Sequence, residues 1–192
     1  MKTMPKNIAT LLRSGHAKLN GQDYIGAAAF FSEAAKRGSP EGSYMLGLLY
    51  SFDTFPDFVY DERLAAKFFA RAADRGHTQA QMRIADMYAT GCGVAQSREK
   101  ADMYWSAAAT AGDPDAQFFY AMFLFYDADE TERGKNVKAA KHWLMAARNK
   151  GGAGIQIALR EIRQWEKDGI LRDPKDTGES NLDDDVEEWS EQ

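Results

Sequence analysis

The hydrophobic pattern of the chain recurs. Four segments share one plan of apolar and small residues: AAAFFSEAAKRG (27–38), AAKFFARAADRG (65–76), ADMYWSAAATAG (101–112) and AAKHWLMAARNKG (139–151). Each carries an aromatic residue at its fifth position, Phe31, Phe69, Trp105 and Trp143, so the spacing is 38, 36 and 38 residues. Alanine stands four residues before every aromatic (Ala27, Ala65, Ala101, Ala139), and alanine pairs follow three and four residues after it. Spacings of i, i+4, i+7 and i+8 lie on one face of an α-helix. Small residues there let a neighbouring helix approach closely, with the aromatic filling the centre.

Glycine closes the first three of these helices, at Gly38, Gly76 and Gly112, the position where a left-handed residue ends a helix. A second helix starts at once. Ser39-Pro40-Glu41 and Asp113-Pro114-Asp115 each supply an N-cap side chain, a proline at the first helical position and an early acid. The restarted helices carry Gly42/Leu46/Tyr50, Ala80/Ile84/Tyr88 and Ala116/Tyr120/Leu124 as aligned inward positions. Each unit is therefore a helix, a loop and a helix. One unit cannot bury its apolar face, and stacking completes the core.

The run QAQMRIADMYATGCGVAQSREKADMYWSAAATAG (79–112) resembles a Sel1-like repeat, a relative of the tetratricopeptide repeat. Ala80, Ile84, Ala85, Tyr88, Gly91, Gly93, Val94, Lys100, Ala101, Trp105, Ala108, Ala109 and Gly112 fall on that pattern. Ile84-Ala85 replaces the usual Leu-Gly, and Ser97 and Arg98 stand where an acid is common. The 39–76 unit keeps Leu46-Gly47 and Tyr50, but its loop lacks the double glycine. The loop of the unit after residue 113 also diverges. The resemblance implies an all-α fold: a right-handed α-solenoid of about four repeats, at about 5–38, 39–76, 77–112 and 113–151. A capping helix is expected at about 153–168, which completes a repeat domain over 1–172.

Composition refines this expectation at three points. With 44% hydrophobic and 28% charged residues the chain reads as an ordinary globular protein, and no apolar run approaches the roughly 20 residues that cross a bilayer. No secretory signal is legible at the start, and one cysteine allows no internal disulfide, so a cytoplasmic, reducing compartment is expected. The net charge of −5 is uneven. Residues 173–192 hold nine acids and one lysine, a balance of −8, which leaves +3 for 1–172. A +3 body is a poor nucleic-acid surface, and neither nucleic acid nor membrane is an expected partner. The tail has a disordered composition, yet Leu182, Val186 and Trp189 are spaced as one helical stripe, so it either docks or only solubilises.

Candidate chemistry is sparse. Cys92 sits between two glycines and needs a base and an orienting group to act as a nucleophile. His16, His77 and His142 share no motif with it. GCGV lacks the lysine-serine ending and preceding strand of a phosphate loop. No metal-ligand spacing occurs, and no catalytic residue, metal or cofactor is expected.

The exception is QFFYAMFLFY (117–126). Beyond its core positions Tyr120, Phe123 and Leu124, the residues Phe118, Phe119, Met122 and Phe125 occupy its other faces. A helix apolar all round must be covered. In tetratricopeptide-type solenoids the first helix of each unit lines the concave face, which aligns Tyr44, Met82, Phe118 and Gln156 in one row and Leu48, Asp86, Met122 and Arg160 in the next. With Phe119, these residues describe a peptide-binding groove. The expected function is a non-enzymatic interaction module, of adaptor or immunity type, that binds a protein or peptide. A homodimer built on 117–126, a self-docked tail and a Cys92-dependent enzyme are the alternatives.

Overall fold

The computed structural model describes residues 7–52, 59–126 and 133–148, together with 155, 156, 159, 160, 163, 164 and 167. Among these residues every regular element is an α-helix. They are α1 (Ile8–Asn20), α2 (Tyr24–Lys36), α3 (Pro40–Ser51), α4 (Glu62–Ala73), α5 (Thr78–Thr90), α6 (Arg98–Thr110), α7 (Pro114–Tyr126) and α8 (Arg133–Arg148). The described residues between 155 and 167 are helical too. The rest of the expected capping helix, the divergent stretches 53–58 and 127–132, and the acidic segment 173–192 lie outside the described residues.

The chain divides into two compact units, Met1–Tyr120 and Ala121–Gln192. In the first, consecutive helices pack pairwise from α1 through α6, an all-α solenoid of helix–loop–helix repeats. The repeated aromatics and alanines form the core: Phe31, Phe69 and Trp105 are buried, as are Ala27, Ala65, Ala101 and the alanine pairs. Small residues admit the rings. A Cβ on Gly15 would come within 2.5 Å of the Phe31 ring, and one on Gly47 within 2.6 Å of Phe69. The glycine of the Leu-Gly pair is thus a socket for the aromatic of its own repeat.

The ends of the helices follow the sequence signals. Ser39 Oγ accepts from the Gly42 amide at 3.0 Å, and Asp113 Oδ1 accepts from the Asp115 and Ala116 amides at 2.9 and 3.0 Å. At the α2–α3 and α4–α5 junctions a pair of amides turns back onto the finished helix: Gly38 to Ala35 and Ser39 to Ala34, Gly76 to Ala73 and His77 to Ala72. Gly112 donates to Ala109 in the same way. Such paired bonds satisfy carbonyls that a helix end leaves open.

In the second unit, Val137, Ala140, Leu144 and Ala147 form the buried stripe of α8, and Ile155 and Leu159 are buried beyond it. Phe125, expected on an outer face of α7, is buried at 5% exposure. Ala121, Leu124 and Phe125 are all buried while Tyr126 is exposed, so the inward face of α7 is wider than the repeat alignment implies.

Candidate partner-binding surface

The candidate residues of the first unit sit on the first helices of successive repeats. Tyr44 and Leu48 lie one turn apart on α3, and Met82 and Asp86 are one turn apart on α5. Tyr44 is half-buried and engaged by its neighbours. Its ring stacks on His77, with centroids 4.4 Å apart, and tilts against Phe69 at 5.8 Å. Leu48 is half-buried against the clusters around Phe31 and Phe69. Met82 is half-buried, and Asp86 is exposed. Tyr44 and Leu48 therefore wedge into the core as well as facing outward.

Phe118 and Phe119, at the start of α7, meet edge to face with centroids 5.6 Å apart. Phe119 also tilts over Trp105 at 5.9 Å, yet 49% of it stays exposed. An aromatic pair anchored on a buried tryptophan presents a firm apolar surface to solvent. Gln117 and Tyr120 fix the helix beneath it: Gln117 Nε2 donates to the Ala109 carbonyl at 3.3 Å, and the Tyr120 hydroxyl donates to Asp102 Oδ1 at 3.0 Å. Burial, and then the adjacent Asp102, push the Tyr120 hydroxyl's pKa upward, so it remains a donor. In the second unit, described by itself, Met122 is half-buried and Gln156 and Arg160 are exposed. Gln156 and Arg160 line a shallow hollow with Leu159 and Arg163.

A polar cluster borders Tyr44 that the repeat pattern did not reveal. His77 caps α5, its Nδ1 accepting from the Ala80 amide at 3.3 Å. That leaves Nε2 as the protonated nitrogen, and it donates to Glu41 Oε2 at 3.0 Å. His16 Nε2 lies 3.9 Å from the other carboxylate oxygen. The hydrogen bond from His77 holds Glu41 below the usual carboxylate range against the opposing effect of burial, and electrostatic attraction to the two imidazoles adds to it. Side chains from α1, from α3 and from the N-cap of α5 thus meet at one carboxylate. The only sequence signal was His77 in an N-cap position. Its pairing with a residue 36 positions away has no local signature.

Cys92 faces a different group from the one nucleophilic chemistry needs. Its thiol donates to the Glu62 carboxylate, and this bond, with burial and the charges of Glu62 and Asp86, pushes its pKa up to about 11. A thiol in that state is not a nucleophile near neutrality. The neighbouring glycines explain the GCG motif. Gly91 ends α5 with φ +80°, and Gly93 has φ +69°. A Cβ on Gly93 would run into the backbone carbonyl of Glu62. The motif lets the loop of one repeat lie against the start of α4 in the repeat before it. Among the described residues no group of three or more His, Cys, Asp or Glu side chains is arranged to hold a metal ion. No described helix is long and apolar enough to cross a membrane.

Stacked helical hairpins closed by aromatic and alanine faces define the class: an α-helical repeat protein. The model of the Sel1 repeat matches at residues 13–39, 40–77, 78–113 and 114–151. The chain belongs to the Sel1 repeat family. Among curated proteins it is similar to the chitin synthase regulator SKT5 of Saccharomyces cerevisiae, at 26% identity over 145 residues, 75% of this chain and 20% of that protein. It is also similar to chitin synthase regulatory factor 4 of Schizosaccharomyces pombe, at 28% over 153 residues, 77% of this chain and 23% of that one. The chain thus spans about a fifth of the length of these relatives. Among solved structures, a Sel1 repeat protein from Oxalobacter formigenes superposes with a TM-score of 0.67 at 27% identity, over 80% of this chain and 44% of the other. A protective antigen of uropathogenic Escherichia coli with an SLR fold gives 0.58 at 21% identity, over 82% and 42%, a likeness of fold.

Proposed function

We propose that this chain is a non-enzymatic interaction module that holds a protein or peptide against the outward faces of α3, α5 and α7, in the manner of a regulatory adaptor. Sel1 repeat proteins mediate protein–protein interaction, and two relatives bear the names of regulators of an enzyme. One observation carries the placement of the site: the Phe118–Phe119 pair, braced on Trp105 and still open at Phe119. Aromatic side chains fixed in this way are the usual anchors of a protein interface. Tyr44, Leu48, Met82 and Asp86 extend the surface along the earlier repeats. In the second unit Met122, Gln156 and Arg160 are proposed as contact residues in their own right. The Glu62-bound thiol of Cys92 supports a non-catalytic reading, and a free thiol suits a cytoplasmic location.

Affinity purification with mass spectrometry names a partner, and titration of that partner against Phe119→Asp then tests the site. The variant is expected to bind at least tenfold more weakly, about 1.4 kcal/mol, with an unchanged helical circular-dichroism spectrum. Unchanged affinity places the partner elsewhere. Self-association is the competing use of the same face, and light scattering at two concentrations separates it from capture of another protein.

A further inference from the structure

The +3 balance of the body conceals a sharp segregation. Residues 1–132 carry a net −4, residues 133–172 carry +7 and residues 173–192 carry −8. Between 133 and 160 stand seven lysines and arginines and no acid at all. In the second unit Lys138 and Arg148 of α8 are exposed, and so are Arg160, Arg163 and Lys167. The last three recur at i, i+3 and i+7, one face of a helix, while Ile155 and Leu159 are buried. Beside them Gln156, Leu159, Arg160 and Arg163 line a hollow of about 340 Å³.

We propose that the face of Arg160, Arg163 and Lys167 is the docking surface for the chain's own acidic segment, 173–192, whose carboxylates pair with these cations and with the exposed Lys138 of α8, while Trp189 seats in the hollow that Leu159 helps to line. The charges match in sign and nearly in number. The reach is sufficient: the fifteen residues from Lys167 to Leu182 span up to about 50 Å when extended. The stripe of Leu182, Val186 and Trp189 supplies the apolar contact that a purely electrostatic tether would lack. Tethering raises the effective concentration of the segment to the order of millimolar, which favours its own chain over a second copy. A docked tail covers Gln156 and Arg160, so it competes with any partner that uses them. The docking itself does not depend on the partner surface proposed above.

The test is zero-length carbodiimide cross-linking of the full chain, as an equal mixture of unlabelled and nitrogen-15-labelled protein, read by mass spectrometry. Links from the carboxylates of 183–191 to Lys138 within one chain are expected. They should fall several-fold in 1 M salt, where charges are screened beyond about 3 Å, and several-fold in Arg160→Gln/Arg163→Gln. If that variant does not fold, the salt comparison on the unaltered chain still decides. No links to Lys138, links spread equally over Lys18, Lys36, Lys67 and Lys100, or links mainly between differently labelled copies overturn the proposal.

Discussion

Gly93 and Gly38 both have positive φ, but only one of them has a neighbour in the way. At Gly38 nothing lies within 4 Å of a new Cβ, whereas at Gly93 the Glu62 carbonyl does. Gly38→Ala should therefore cost about 1 kcal/mol, the left-handed penalty alone, and Gly93→Ala more than about 2 kcal/mol. Urea titrations of the two variants check the order. Cys92 offers a second test. A thiol pKa of about 11 in place of 9.0 lowers its thiolate fraction near pH 8 roughly a hundredfold, so alkylation should be slower than that of a thiol peptide by that order. Glu62→Gln should accelerate it. At Glu41 the sign runs toward acid. Its carboxyl is held below the ordinary 4.5, so its contribution to stability is present above that pH and disappears as pH falls. The thermal stability of the unaltered chain and of Glu41→Gln should converge as pH drops below 4.5. Caps and closing glycines were legible because their signals lie within four residues. The His16–Glu41–His77 cluster was not, because Glu41 and His77 stand 36 positions apart and no local pattern links them.

At the scale of the helix, one junction is solved in two ways. Gln81 Nε2 donates to the Ala73 carbonyl and Gln117 Nε2 to Ala109, each at 3.3 Å. These glutamines stand at equivalent positions, eight residues after the carbonyl they reach. The corresponding residue of the preceding repeat is Ser43, which turns back to its own Ser39 carbonyl. There Arg71, reaching from α4, donates to Ala35 at 2.6 Å instead. A charged donor is worth more than an amide, so Arg71→Ala should cost about 1–2 kcal/mol. Gln117→Met should stay within about 1 kcal/mol, since it also removes the buried, unpartnered Oε1. Denaturation midpoints distinguish the two. The sequence pattern disclosed the helices and their inward faces because 3.6-residue periodicity records burial directly. It misplaced Phe125, since inward positions borrowed from other repeats say nothing about a helix whose buried face is wider than theirs.

For the molecule as a whole, the repeat was legible because four copies share one register, and the Sel1 repeat model matches all four stretches. The charge pattern was visible only in part: a sum over 1–172 hides opposite balances on either side of residue 132. The proposed partner surface rests on rows of equivalent positions along α3, α5 and α7. Within those rows Tyr44 and Leu48 are partly committed to the core, whereas Phe119 remains open. Hydrogen-exchange footprinting of the chain with its purified partner tests this most directly. Protection should concentrate on α3, α5 and the Phe118–Phe119 stretch of α7, leaving α2, α4 and α6 unchanged. Protection confined to α2, α4 and α6 would contradict it.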